Sequence, residues 1–401
     1  MNESGQQITR FHEALDVLAR KTMEDERRLG VEFPYVTKPD GSWDTMYASR
    51  SAGYTGDDWS HGNWFCGFWV GLLLISHLHT GDADMLERAR ERMKLVAPRS
   101  ADPNTHDIGF IFLSSALPAF HITGDPDYAR IGLEAAAQLR ARLVRTDAGA
   151  YVSSWGPLSD PRGRRSSAID TMANLPLLYW AADVAGDDSF LVAGELHAKS
   201  TERAFIRPDL STYHAVEYDL PSGDRQRGYT FQGYSDESFW SRGQGWAILG
   251  FAETARATGE YAYLALAHRL GDRFMQALGD ATSAPWDFDD PAGAAATLDT
   301  AASAIVANAF LQIADLEPDM ALAQKRREQG LRLLDDLCRE HLSRDDSERG
   351  FLRHGCYSKP HNIGPDAAVL FGDYYFAEAL LMATKPGALR AVPAKLSSTS
   401  A

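Results

Sequence analysis

The strongest constraint on the fold is a short punctuation mark that recurs along the chain. Thr-Gly-Asp stands at 80 and again at 123, Ala-Gly-Asp at 185 and Thr-Gly-Glu at 258, each between two helix-like segments. At 123 the local physics is legible. Gly124 suits a left-handed position just past a helix, Asp125 can cap the next helix, and Pro126 fits its first turn. Beyond it Tyr128, Ile131, Ala135, Leu139 and Leu143 recur at three- and four-residue steps, one stripe of a helix. Ile8, Phe11, Leu15 and Leu18 form a similar stripe near the start. The marks lie 43, 62 and 73 residues apart, too unevenly for a strict repeat but well suited to helical hairpins with loops of differing length. Strand and helix do not alternate regularly, and the extended candidates at 149–155 and 350–355 are short. The pattern therefore predicts an all-α toroid closed by about a dozen helices, with residues 1–385 as one domain. The tail 386–401 is rich in Ser, Pro and Ala without periodicity, and is expected to fray.

Composition narrows the function. The chain has 401 residues, 44% of them hydrophobic, enough for one large core. Its start lacks a basic stretch followed by an apolar one, and no run of about 18 apolar residues occurs, so a soluble cytoplasmic protein is expected. Cys66, Cys338 and Cys356 are odd in number and form no CxxC pair, which fits a reducing compartment. A net charge of −15 opposes phosphate backbones and anionic lipid, so neither nucleic acid nor a membrane surface is an expected partner. A small acidic substrate stays open, because one local arginine can outweigh distant carboxylates. Of the twelve histidines none sits in HExxH, and His77 and His79 are two apart, which a helix turns away from each other, so no metal site is expected. GxSxG and GxxxxGK[ST] are absent, and the glycines of 242–250 do not match GxGxxG. No cofactor is expected. Six of the nine tryptophans (Trp59, Trp64, Trp69, Trp155, Trp240 and Trp246) have a glycine within three residues, where loops bend.

Two aspartates then stand out. In "AIDTMANLP" Asp170 precedes an apolar run containing Pro176. Were Asp170 the helix cap, Pro176 would sit inside the helix body at a cost of about 3 kcal/mol. Asn174 as cap, with Leu175 and Pro176 opening the first turn, is the better reading, and it places Asp170 in a loop. Asp107 in "NTHDIGFIF" has the same setting. A loop aspartate bonding nearby amides is the plain alternative for each. Yet two such residues can meet at one mouth of a helical barrel, and paired carboxylates in an aromatic-lined cleft are the usual apparatus for cleaving glycosidic bonds. A third cluster, 231–250, offers Gln232 and Arg242 for hydroxyls or a carboxylate and Trp246 as a flat face for a sugar. Taken singly, Trp240 and Trp246 read more readily as core residues, and the plain alternative for Arg242 is a surface ion-pair partner.

In series the blocks NWFCGFWVG, HDIGF, WGPLSDP, AIDTMANLPLLYWA, STYHAVEYD, FWSRGQGWAILGFA, PWDFDDP, TAASAI and GDYYFAEALL, from about Trp64 to Glu378, resemble the unsaturated glucuronyl hydrolases, glycoside hydrolase family 88. The resemblance implies an (α/α)6 barrel and hydration of the C4=C5 enol ether of an unsaturated uronyl di- or oligosaccharide, without a cofactor, by a monomer or small homo-oligomer. It implies Asp170 as general acid/base with Asp107 as its neighbour. Trp64 and Trp155 would be stacking walls and Tyr357 a further one, His214 and Gln232 would hydrogen-bond the uronate ring, Arg242 would orient the sugar, and Trp246 would close the site. The chain departs from the family pattern at Phe231, where a His often precedes the Gln, at Cys66, where an Asp often stands, and near Gly364, which lacks a serine. These positions border the second sugar. The alternatives are an unsaturated rhamnogalacturonyl or galacturonyl hydrolase, a non-catalytic sugar-binding toroid, or an epimerase-like toroid, which would depend on histidine bases.

Overall fold

The computed structural model describes residues 3–49, 62–389 and 394–395; Trp59 and most of the tail lie outside them. Among the described residues, helices alternate between an outer and an inner ring. In chain order the outer α1 (Glu3–Glu26) leads to the inner α2 (Cys66–Thr80), and the outer α3 (Ala83–Val96) leads to a broken inner helix, α4 (Ile108–Leu113) with α5 (Ala116–Thr123). The outer α6 (Pro126–Ala141) and a one-turn loop helix α7 (Pro161–Arg165) precede a second broken inner helix, α8 (Thr171–Asn174) with α9 (Pro176–Ala185). Three further pairs follow: α10 (Asp188–Phe205) with α11 (Ser241–Thr258), α12 (Tyr261–Leu278) with α13 (Thr300–Leu316), and α14 (Met320–Asp336) with α15 (Leu370–Thr384). The inner ring closes on itself: α2 packs on α4, α4 on α8, α8 on α11, α11 on α13, α13 on α15, and α15 back on α2. This is the expected (α/α)6 barrel.

Burial follows from this layering. The outer α6 buries one stripe, including Tyr128, Ile131, Ala135 and Leu139. Every residue of α11 from Ser241 to Ala257 is buried, because an inner helix has the outer ring on one side and the barrel axis on the other. The stripe on α6 stops short of Leu143, which opens strand β3 instead.

The punctuation marks all serve one kind of turn, from an inner helix to the next outer one. Gly81, Gly124, Gly186 and Gly259 are left-handed, with φ of 76°, 70°, 63° and 77°. Asp82, Asp125 and Asp187 each accept a hydrogen bond from the backbone N–H two residues on, while Glu260 makes no such cap. Short turns thus line one end of the barrel. The long connections gather at the other end, where the inner helices begin, and hold the short strands: β1 (Phe33–Thr37) with β2 (Trp43–Met46), β3 (Leu143–Thr146) with β4 (Gly149–Val152), and the antiparallel set β5 (Ser166–Ala168), β6 (Ala215–Tyr218) and β7 (Arg225–Tyr229), in that order. Residues 350–355 contribute only isolated bridges, Leu352 to Leu342 and Gly355 to Ala367.

One expectation needs correcting. Trp69 and Trp246 lie buried within helices, so their nearby glycines mark close helix packing rather than bends. Among the described residues of the tail, Ala388 and Leu389 pack against the core and the Lys395 N–H donates to Arg256 O. No helix among the described residues is long and apolar enough to cross a membrane.

Candidate active site

Both aspartates stand directly ahead of inner helices, Asp107 before α4 and Asp170 before α8. Aspartates that cap helices here have extended backbone, as at Asp125 (φ −68°, ψ 116°). Asp107 (φ −66°, ψ −6°) and Asp170 (φ −57°, ψ −26°) are already helical, and neither side chain caps its helix. Their carboxylates are therefore free for other work.

Asn174 is not the cap that the sequence suggested. Leu175 (φ −59°, ψ −31°) carries the helical path from α8 into α9, and the break there absorbs Pro176. Pro176 cannot donate to Met172 O, and at that carbonyl α11 approaches through Gly250, where an added Cβ would lie 2.6 Å from the oxygen. Asn174 instead ties the two aspartate-bearing helices together. Its Oδ1 accepts from the Phe110 N–H at 2.5 Å and its Nδ2 donates to Asp170 O at 3.0 Å. Gly109 allows this approach, since a Cβ there would lie 2.4 Å from Asn174 Oδ1.

The Asp107 carboxylate accepts from Thr105 Oγ1 at 3.1 Å and has His106 Nε2 at 3.2 Å. Burial raises its pKa to about 7, helped by the charge of Asp170 and opposed by the Thr105 hydrogen bond and by Arg99 and Arg142. Asp170, its side chain 15% exposed, accepts from Trp246 and has His214 Nε2 3.8 Å from Oδ2. Burial raises this carboxyl to about 7 as well, against the pull of Arg242 and the Trp246 hydrogen bond. Two carboxyls so placed hold about one proton between them near neutrality, the condition for a general acid.

His214 is sandwiched between Trp240, stacked at 4.1 Å, and Phe231 at 4.0 Å. Burial, with the nearby Arg242 charge, pushes its pKa well below the ordinary range, so the ring is neutral. Its Nδ1 lies 2.9 Å from Thr230 Oγ1, while buried Nε2 has no hydrogen-bond partner among the described residues.

All nine residues singled out from the sequence gather at this end of the barrel, but two are placed differently from their expected roles. Trp246 is buried among Phe110, Phe371 and Tyr375, so it presents no face to a sugar and serves Asp170 as a donor. Arg242 is neither a surface ion-pair partner nor a free fork. Its terminal nitrogens donate to Asp299 Oδ2, Cys356 O, Gln232 Oε1 and Tyr357 O, which uses all four terminal N–H groups. Arg242 thereby fixes Gln232 with its Nε2 as the remaining donor. Trp64, Trp155, Gln232 and Tyr357 are partly exposed. Trp64 and the Tyr35 hydroxyl hydrogen-bond the Tyr357 hydroxyl, and Trp155 meets Phe231 edge to face at 5.0 Å.

Sequence reasoning missed Thr105, His106, Thr230 and Asp299, and weighed Trp240 only as core. For Asp299 a signal existed: "LDT" ahead of α13 repeats the "IDT" ahead of α8, and each aspartate stands just before an inner helix. The others carry no local signal, because their roles arise across the barrel.

No family model matches the chain. It is 34% identical over 378 residues to the unsaturated glucuronyl hydrolase of Bacillus sp. (strain GL1), covering 92% of this chain and 94% of that one. It is 31% identical over 325 residues to the unsaturated glucuronyl hydrolase of Formosa agariphila, covering 79% of each. The solved structure of the unsaturated glucuronyl hydrolase from Bacillus sp. GL1, described as responsible for the degradation of glycosaminoglycan, superposes with a TM-score of 0.85 at 30% identity, over 98% of this chain and all of that one.

Proposed function

Because the chain belongs to the unsaturated glucuronyl hydrolases, we propose that it removes a 4,5-unsaturated uronic acid from the non-reducing end of lyase-generated oligosaccharides, with Asp170 as general acid and base. The observation that carries this reading is a pair of aspartates withheld from their own helices, both raised to about 7, in a cleft walled by aromatic side chains.

Asp170 delivers its proton to C4, and the C4=C5 electrons form the new C–H bond. Positive charge develops at C5 and the ring oxygen, where the Asp107 anion stabilises it. Water adds at C5 as ionised Asp170 takes its proton, which restores the acid. The hemiketal then opens by breaking the bond from C5 to the ring oxygen, and the hemiacetal left at C1 expels the remaining saccharide. A proton and a water are all the reaction consumes. In this reading His214 Nε2 and Gln232 Nε2 donate to the uronate ring, Trp64 and Trp155 stack, Tyr357 extends the wall, and Arg242 orients the sugar through Gln232.

The substrate is an unsaturated di- or oligosaccharide, and the enzyme acts in the cytoplasm as a monomer or small homo-oligomer, with residues 1–385 as its catalytic domain. Three buried free thiols, Cys66, Cys338 and Cys356, support a reducing compartment. The test is spectrophotometric: the ultraviolet absorbance of the C4=C5 bond should decay on incubation with the enzyme. No decay with the lyase products of glycosaminoglycans, ulvan, glucuronan, xanthan and gellan would refute the reading.

A further inference from the structure

We infer that Arg142 is a positioning residue: its buried guanidinium clamps the loop that carries Asp107 to the loop that carries Trp155, and its charge, paired with no carboxylate, supports the Asp107 anion. The inference rests on the reading of Asp107 and Asp170 given above.

Arg142 ends α6 and is 1% exposed. Its Nε donates to Ser153 O at 2.7 Å, Nη1 to Pro103 O at 2.5 Å, and Nη2 to Ser153 Oγ at 3.0 Å and to Gly156 O at 3.1 Å. Ser153 and Gly156 bracket Trp155, and Pro103 stands shortly ahead of Asp107. Beyond the clamp the two loops run side by side. The His106 N–H donates to Ser154 O at 2.9 Å, the Gly156 N–H donates to Asn104 O at 3.0 Å, and Thr105 forms an antiparallel bridge with Trp155. The backbone that sets Asp107 and the backbone that sets Trp155 are therefore one unit, with Arg142 holding both strands of it. A planar fork with spread donors can reach acceptors on both loops, whereas an ammonium is a single point.

The charge is a second, separate observation. A buried arginine is ordinarily paired with a carboxylate, as Arg242 is with Asp299 at 2.5 Å and Arg99 with Asp102 at 3.1 Å. The four acceptors of Arg142 are all neutral, and among the described residues no carboxylate lies within ion-pair distance of it. The acids whose charges act on it are Asp102 and Asp107. Asp102 already faces Arg99, which leaves Asp107 as the counter-charge of Arg142.

Asp107 feels several groups. Asp170 opposes its ionisation, while the Thr105 hydroxyl, Arg99 and Arg142 favour it. His106 Nε2 lies 3.2 Å from Oδ1, and the Tyr357 hydroxyl is near enough to feel the carboxylate charge. Arg142 adds to its charge a direct hold on the loop backbone.

Two substitutions separate the clamp from the charge: Arg142→Lys keeps the charge and loses the fork, and Arg142→Gln loses both. Native-state hydrogen exchange of the full chain reads the clamp without turnover. In both variants the His106 and Gly156 amides should exchange at least about tenfold faster than in wild type, while those of α13, opposite α4 in the inner ring, keep their rates. Unchanged exchange at the two loop amides overturns the proposal. So does loss of the whole fold in Arg142→Lys, which would make Arg142 a general structural residue.

The C4=C5 absorbance assay reads the charge. Arg142→Gln should move the acidic limb of the kcat/KM profile up by roughly half a pH unit, because the anion of the pair loses a favourable charge, and Arg142→Lys should leave the limb in place. Arg142→Met is the second neutral variant should Arg142→Gln not fold. Both the lysine and the neutral variant should raise KM several-fold with kcat changed less, because the Trp155 wall loosens. A limb that stays in place in the neutral variant, or that moves as far in Arg142→Lys, overturns the proposal. Absence of wild-type turnover would instead count against the hydrolase reading, with the clamp still decided by exchange.

Discussion

Asp170→Asn should inactivate the enzyme and stabilise it, and the stabilisation should depend on pH in a defined direction. Burial raises the Asp170 carboxyl from the ordinary 3.8 to about 7. Below about pH 4 the group is protonated folded or unfolded, and it costs nothing. As pH rises toward 7 the unfolded chain ionises freely while the folded one resists, so the wild type progressively loses stability, and above about pH 7 the full penalty is present. A shift of roughly three units at about 1.4 kcal/mol each sets an upper scale of about 4 kcal/mol. Asparagine keeps the shape and can still accept from Trp246, but it carries no charge. For a chain of this length each kcal/mol moves Tm by roughly 1–2 °C, so Asp170→Asn should melt a few degrees higher than wild type at pH 8 and coincide with it near pH 4. Its turnover should fall by at least about 10²-fold, the scale of general acid–base catalysis. The assays are thermal unfolding across pH and decay of the C4=C5 absorbance. A variant that is less stable than wild type at pH 8, or that turns over normally, would refute the argument that a strained carboxyl is the acid.

Three further outcomes are expected. The profile of kcat/KM against pH should be bell-shaped with its optimum near 7, because both members of the pair are raised to about 7; a flat response between about pH 5 and pH 9 would mean that the pair does not carry the proton. Arg242→Met should lower stability by about 3–5 kcal/mol in denaturant unfolding, since it strands buried Asp299 and three other acceptors, and a change below about 1 kcal/mol would show that the network is dispensable. Phe231→His should change the ranking of kcat/KM among substrates with different leaving sugars by several-fold while preserving the reaction, because Phe231 packs on Trp155 and His214 at the partly exposed edge of the site; an unchanged ranking would remove Phe231 from the leaving-sugar subsite.

The sequence by itself determined what is local. A left-handed glycine, a capping aspartate and a helical stripe each depend on neighbours within a turn or two, so the hairpins, their short returns and the count of about a dozen helices could be read from the Gly-Asp marks and the periodicity. The placement of Asp107 and Asp170 ahead of inner helices was also legible, from the apolar runs that follow them. The rest was decided only by the tertiary structure, for one physical reason. Periodicity reveals which face of a helix points inward only when the opposite face is wet, and α11 is buried all round, so nothing in its pattern told that Trp246 would serve Asp170 or that Arg242 would spend its fork on Asp299, Gln232 and two carbonyls. Likewise the letters around Asp170 could not say that its backbone would be helical. That conformation follows from the pairing of β5 with β6, the Ile169 N–H bond to His214 O and the Asn174 tie to α4, all made by residues distant in sequence, and they turn a residue type that usually caps helices toward the cleft.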